Sequence, residues 1–384
     1  MTSCRKTPPP AVEEGPSRLG KPVSAYGERS PLEKPARAPR SSTKTQEAAS
    51  STTPLQEQTG ILTPSSLHFE RHHAGVPQIH PERHRLLIHG MVDRPLAFTM
   101  EEIRRLPSIS RILFIECAGN GGAEWGPKPA PDAQRSHGLA SCSEWTGVPL
   151  KLLLEEAGIQ PRATWLLAEG ADACRMQRSI PAGAAESILI AYGQNGEALR
   201  PEQGYPLRLV APGWEGNVCV KWLHRIKAFD RPHMTKDETS KYTDLMPDGT
   251  ARQFTFLLDA KSVITRPSGG QKVAAPGFHE ITGLAWSGRG RIERVEVSTD
   301  GGRNWRNAVL DEPRLPQAFT RFHMPWTWGG RETILLSRAT DQTGYVQPAR
   351  EELVAVRGLN SLYHNNAVKA WRIAADGSVT HVEG

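Results

Sequence analysis

The apolar positions of this chain fall into three textures. Over the first 64 residues they are sparse and scattered among Pro, Ser, Thr, Gly, Lys and Glu, as in PPPAVEEGPSRLGKP and PRSSTKTQEAASSTTP. Such a segment buries too little to offset the entropy of ordering it, so residues 1–64 read as a disordered tail or a strap on the surface. From Leu67 the apolar residues cluster. Thr99, with Glu102 three residues on, forms a capping box ahead of Ile103 and Leu106, which predicts a short helix stopped at Pro107. Residues 111–116 (RILFIE) are a β-favouring run that ends in Cys117-Ala118-Gly119-Asn120-Gly121-Gly122, so a buried strand runs into a flexible turn. Residues 149–158 predict a helix with Leu150, Leu153, Leu154 and Ala157 on one face and Gly158 at its stop. Residues 205–211 and 218–226 read as strands. This part mixes α and β without a regular βαβ repeat. Near residue 250 the rhythm turns to short alternating strands at 253–258, 283–286, 294–298 and 334–337. An Asp300-Gly301-Gly302 turn ahead of Trp305 closes one hairpin, which predicts a β-sandwich. The expected division is tail 1–64, α+β domain 65–250 and sandwich 251–384.

Composition narrows this picture. The 384 residues, 38% hydrophobic and 23% charged, suffice for two ordinary domains. No run of ~18 apolar residues, the length a membrane-spanning helix needs, occurs, and no apolar h-region follows the start Met, so neither an anchor nor an export signal is expected. Of the formal charge of +6, residues 1–60 supply half, with nine Lys/Arg against six Asp/Glu. The remainder forms no basic run, which argues against nucleic acid and suits a small anion or an acidic partner. Five cysteines (Cys4, Cys117, Cys142, Cys174, Cys219) without C-x-x-C, C-x-x-C-H or zinc spacing argue against a disulfide framework, c-type haem or structural zinc.

Three places could carry chemistry. Cys117 stands where a strand gives way to a Gly/Asn loop that lets backbone approach a bulky ligand, and a thiolate is a soft ligand for a transition metal. A lone cysteine also reads as inert core. His68-Phe69-Glu70-Arg71-His72-His73, followed by His80, His84 and His89, reads either as a surface histidine patch or as a loop donating to an anion. The third place comprises 191–197, 203–208 and 213–222, where Arg208 and Lys221 beside Gly-rich loops could hold a phosphate or a pterin.

In order along the chain stand F-x-R-x-H (Phe69, Arg71, His73), C-A-G-N (Cys117 to Asn120), A-Y-x-x-N-G (Ala191 to Gly196), G-x-P-x-R (Gly204 to Arg208), V-K-W-L (Val220 to Leu223), G-L-A-W-S-G and V-S-T-D-G-G-x-N-W. Together they resemble the sulfite oxidase family of molybdenum enzymes, over nearly everything from Leu67 to Trp371. The resemblance implies an α+β fold, a sulfite-oxidase-type molybdopterin-binding domain followed by an immunoglobulin-like β-sandwich dimerisation domain. It implies a molybdenum-molybdopterin cofactor with Cys117 as the protein thiolate on the metal and no haem in this chain. Phe69, Arg71, His72, His73, Asp172, Gln203, Arg208, Cys219, Val220 and Lys221 fall where the family grips the pterin and its phosphate. Gln203 stands where many sulfite oxidases have His, and Asp172 matches after a small gap.

The substrate pocket departs from the pattern. Family members acting on sulfite place an arginine just after C-x-G-N, where this chain has Gly121-Gly122. Arg71 and Arg357 match the other pocket arginines and Tyr192 matches the pocket tyrosine, which leaves an anion site of lower charge, and the glycines are expected to open space. Closer wording (HFERHHAGV, SCSEWTGVPL, RPEQGYPLRLV, ETSKYTDLMPDG, VRGLNSLYHNN) is similar to members that oxidise sulfane sulfur on a carrier protein during thiosulfate oxidation. That resemblance implies a dihaem c-type cytochrome subunit as electron acceptor, the sulfur-carrier protein as substrate, a homodimer within an α2β2 assembly, and a periplasmic location, with a cytoplasmic one as the alternative given the expected lack of an export signal. Sulfite dehydrogenase is the enzymatic alternative; methionine-sulfoxide reductase and a cofactor-free binding module are weaker ones.

Overall fold

Strand Ile109–Glu116 lies between two hydrophobic cores, and its period-two alternation divides its side chains between them. Leu113 and Ile115 enter the first core with Leu86, Ile88, Trp145, Leu153 and Ile226. Phe114 enters the second and stacks on Phe319, ring centroids 6.4 Å apart. Glu116 therefore points toward the second core, and Cys117, one residue on, returns to the first.

The structure, a computed structural model, describes residues 22–40 and 45–382. The first core is built by two five-stranded sheets. One contains Glu197–Ala198, Leu189–Gln194, Ala140–Pro149 and Ile109–Glu116 in that order, with Arg208–Val210 also on Leu189–Gln194. The other orders Leu96–Thr99, Arg85–Gly90, Leu223–Phe229, Trp165–Gly170 and Gln177–Pro181, with Arg85–Gly90 parallel to Leu223–Phe229. Helix Met100–Arg105 carries the capping box: Thr99 N donates to Glu102 Oε2 at 2.8 Å and Glu102 N to Thr99 Oγ1 at 3.1 Å. Helix Leu150–Ala157 buries Leu150, Leu153, Leu154 and Ala157 and stops at Gly158, whose φ of 67° suits a residue without Cβ.

The second core is an immunoglobulin-like sandwich of two antiparallel sheets. The four-stranded sheet contains Lys261–Arg266, Gly277–Trp286, Thr320–Trp328 and Val309–Leu310. The five-stranded sheet contains Arg306–Asn307, Ile292–Ser298, Thr333–Asp341, Ala370–Ile373 and Val379–His381. Trp286, Phe319, Phe322 and Trp371 are fully buried. The hairpin through Asp300-Gly301-Gly302 pairs Val297 with Arg306, and Asp300 Oδ1 accepts from Asn304 N at 2.9 Å.

Three expected strands differ. The 218–226 strand begins only at Leu223, because Trp222 adopts φ 52° and residues 218–220 close tight turns. The 205–211 strand shrinks to Arg208–Val210, since Pro206 has no N–H to give a ladder. At 253–258 the expected strand is broken by Phe254 at φ 55°, leaving Ala251–Arg252 and a lone bridge between Trp214 and Leu257.

The tail reading also changes. Its parts at 1–21 and 41–44 lie outside the described residues. The unit ending at Pro35 holds no helix or strand over 22–35, and Ser24 Oγ donates there to Tyr26 O at 3.1 Å. Beyond it, Ala38–Arg40 pairs with Ser50–Thr52, which pairs with Glu70–Arg71. Leu55 is fully buried in the second core, Thr53 N donates to Gly138 O at 2.8 Å and Thr63 N to Cys142 O at 2.7 Å. Residues 50–64 are thus neither disordered nor a superficial strap: partners far along the chain supply the order that local composition does not.

Candidate active site

The end of strand Ile109–Glu116 delivers Cys117 into a cavity open to solvent. Cys117 N donates to Leu139 O and Asn120 N to Cys117 O, both at 2.9 Å, which folds the glycine loop back on the sulfur. Burial pushes the thiol pKa up, with the Gly119 N–H and nearby Arg71 pulling the other way. A free thiol here stays protonated, whereas binding to a metal would deprotonate it outright. Among the described residues no three His, Cys, Asp or Glu side chains converge as a metal cage, so further ligands would have to come with a cofactor.

Eleven expected residues line this one cavity: Phe69, Arg71, His72, His73, Cys117, Asp172, Gln203, Arg208, Cys219, Val220 and Lys221. The short strand Glu70–Arg71 carries Arg71, with Phe69 before it and His72 and His73 after it, Trp165–Gly170 leads to Asp172, and the turns before Leu223–Phe229 carry Cys219, Val220 and Lys221. Lys221 Nζ lies 2.8 Å from His72 Nδ1 and donates to Arg71 O at 3.2 Å and Glu202 O at 3.0 Å. Burial, then the nearby Arg208 charge, lowers Lys221 to about 7. Arg208 is likewise lowered by burial, to about 10; it donates to Gln203 O at 2.9 Å and lies over the Trp145 ring at 4.8 Å. His68 and His73 fall to about 3 through burial and neighbouring cations, so both are neutral rings.

Molybdopterin suits this lining. Arg208 Nε, His68 Nε2, Asn217 Nδ2 and Asp172 Oδ1 are buried without a hydrogen-bond partner in the protein, and all four belong to cavity residues. Orphaned polar atoms in a folded interior imply a ligand or water that satisfies them. Cations at one end would take an anionic phosphate, and Asp172 Oδ1 would accept from an amine-bearing heterocycle.

Tyr192 and Arg357 are not brought into the lining. Tyr192 sits half-buried against the first core, at the register shift between Ala191 and Gly193, and its carbonyl accepts from Leu199 N at 3.3 Å. Arg357, buried at the end of helix Arg350–Arg357, pairs with Asp244 Oδ2 at 3.4 Å and lies 3.9 Å from Asp259 Oδ2. The room expected at Gly121 and Gly122 is bounded by the next loop: Cβ atoms there would meet Asn365 at 3.2 Å and the Leu362 carbonyl at 3.5 Å. Of the other histidines, His84 is structural, its Nε2 2.9 Å from Leu223 O, and His80 and His89 lie outside the lining.

The tyrosine that does face the cavity is Tyr242. Its hydroxyl lies 3.3 Å from His73 Nε2, its ring is 5.3 Å from that of Tyr363, and the Arg178 guanidinium lies over it at 4.9 Å. Burial, then the adjacent Cys117, pushes the phenol far above its usual range, so it remains a proton donor. Arg178 is clamped by Glu215 at 2.9 Å and Glu238 at 3.1 Å. Nothing local in residues 238–249 marks Tyr242; only its place in a family string could have found it.

The family model described as oxidoreductase molybdopterin binding domain matches residues 73–236, and that described as Mo-co oxidoreductase dimerisation domain matches 252–371. The sulfite oxidase of Gallus gallus is 31% identical over 75% of this chain and 68% of its own length. An NADH nitrate reductase of Ulva prolifera is 29% identical over 76% of this chain, which spans only 38% of that protein. The crystal structure of the sulfane dehydrogenase SoxCD from Paracoccus pantotrophus superposes with a TM-score of 0.92 at 46% identity, covering 96% of each chain. With the thiol, the orphaned polar atoms and the sandwich in these positions, the chain belongs to the sulfite oxidase family of molybdopterin oxidoreductases.

Proposed function

We propose that this protein oxidises sulfane sulfur held on a carrier protein and passes the electrons to a c-type cytochrome subunit, acting as a homodimer in the periplasm. The observation that carries the reading is the 46% identity, over 96% of both chains, with a sulfane dehydrogenase. The glycine pair at 121–122 supports it, because a site short of one arginine suits a less charged substrate than free sulfite.

Cys117 would hold the metal, Asp172 and Asn217 the heterocycle, and His72, Arg208 and Lys221 the anionic end. When bound, the cofactor supplies oxygen-atom transfer and two-electron redox chemistry. The protein's own contribution is placement. Arg71 offers a cation beside the sulfur, Tyr242 keeps its proton and presents it to the cavity, and neutral His73 fixes the phenol's direction. Arg357, paired with Asp244 and close to Asp259, has its charge offset by carboxylates and lies outside the lining.

The test measures molybdenum content and cytochrome c reduction by the matured protein, supplied with sulfite or with a sulfane-loaded carrier. Reduction by the carrier supports the reading. Reduction by sulfite alone makes the protein a sulfite dehydrogenase.

A further inference from the structure

Glu116 is the residue before Cys117, yet it faces away from the cavity and is fully buried against the sandwich. Its Oε1 accepts from Asn120 Nδ2 at 2.8 Å and is in close contact with Lys261 Nζ. Its Oε2 accepts from Trp286 Nε1 at 2.7 Å. Lys261 and Trp286 are register partners on the two neighbouring sandwich strands, so the carboxylate is gripped by one rung of that sheet. Asn120 continues the connection: its Nδ2 also reaches His137 O at 2.9 Å, and its Oδ1 accepts from Leu139 N at 3.1 Å. Leu139 O in turn receives the Cys117 N–H, and the Glu116 carbonyl receives Gly216 N at 2.6 Å.

A buried ion pair is rarely the most stable filling for a core, since apolar side chains of similar volume often do as well or better. What an apolar side chain at 116 would not do is hold Asn120, and through it the turn carrying the thiol. We infer that Glu116 is a positioning residue through which the sandwich domain sets the placement of the Cys117 sulfur, a role separate from dimerisation. The inference rests on the reading of Cys117 as the metal ligand.

Two matched substitutions test it in the full-length, molybdenum-loaded protein. Trp286→Phe removes the indole donor to Glu116 and keeps an aromatic ring. Trp371→Phe removes an equally buried indole donor of the same core, one that serves Ile264 O at 3.0 Å and does not touch Glu116. The readouts are the electron paramagnetic resonance spectrum of Mo(V) and, in cofactor-free protein, the rate of Cys117 alkylation by iodoacetamide resolved by peptide mass spectrometry. Trp286→Phe is expected to shift the g values and change the alkylation rate several-fold, while Trp371→Phe leaves both at wild type. Equal shifts in both variants, or none in Trp286→Phe, would overturn the inference. Should Trp286→Phe not fold, Lys261→Met compared with Lys261→Met/Glu116→Gln decides: the double variant, with no stranded charge and one acceptor kept, should return toward the wild-type spectrum. No such return overturns the inference. Cys117→Ser separates the two ideas: retained metal with an unaltered spectrum sinks the ligand assignment itself, whereas lost metal beside an unshifted Trp286→Phe sinks only the role of Glu116.

Discussion

Lys221 Nζ lies 2.8 Å from Nδ1 of His72, whose Nε2 lies 2.7 Å from Glu70 Oε2. His72 thus accepts from the ammonium on one side and donates to a carboxylate on the other, which fixes a neutral tautomer. Burial lowers Lys221 to about 7, against about 10.5 for an ordinary lysine. Between these values the unfolded chain keeps a proton that the cofactor-free folded protein has shed. Its stability should therefore rise with pH from about 7 to 10.5, by up to about 1.4 kcal/mol per pH unit for one proton. Lys221→Met should lack this component. Denaturation midpoints of both cofactor-free proteins across that range check it, and parallel profiles would contradict it.

A phosphate in the cavity should restore the lysine's charge. Above about pH 7 its binding then brings a proton onto Lys221, and affinity falls as pH rises. Titrating cofactor-free protein with inorganic phosphate in buffers of different ionisation enthalpy measures that proton. Lys221→Met should bind more weakly and take up about one proton fewer than wild type.

The two tyrosines make opposite predictions. Tyr242→Phe removes the hydroxyl that faces the cavity and should lower turnover about 10²-fold, the usual loss for one preorganised donor, with molybdenum content unchanged. Tyr192→Phe, against the first core, should leave turnover unchanged. Steady-state cytochrome reduction normalised to molybdenum tests both, and the reverse order would return the catalytic assignment to Tyr192.

The pairing of 50–64 predicts a stability effect that a tail would not show. Leu55 is fully buried among second-core residues, so Leu55→Ala should cost about 2–5 kcal/mol in chemical denaturation. A change within error would restore the tail reading for this segment.

These cases separate what the sequence discloses from what it hides. The Thr99 capping box, the buried face Leu150, Leu153, Leu154 and Ala157, and the Asp300-Gly301-Gly302 hairpin are written in neighbouring residues, and each was legible. The cavity residues were legible as ordered motifs because backbone turns place short strings such as 69–73 and 219–221 on one wall. Leu55 was not, since the core it enters is built from residues about 60 to more than 300 positions further along the chain. Tyr242 was not, since no neighbour marks it. Strands misjudged at 218–222 and 253–256 hinge on Trp222 and Phe254 at positive φ, a conformation neither residue type announces.

Gly122 offers the sharpest test of substrate choice. It sits in the turn after Cys117, with Gly122 N donating to Gly119 O at 3.1 Å. Unlike Gly121, whose φ is 78°, Gly122 has no positive φ, and an added Cβ meets only the Leu362 carbonyl at 3.5 Å. Gly122→Arg should therefore fold, and it adds a guanidinium on the turn that follows Cys117. A charge-assisted hydrogen bond of about 1.5–3 kcal/mol corresponds to a roughly 10- to 100-fold fall in KM for free sulfite. The same side chain should crowd a carrier-borne sulfane group and slow its oxidation. Cytochrome reduction with each substrate measures both effects, and a variant whose sulfite KM and carrier turnover match wild type would remove the glycine pair from the account of specificity.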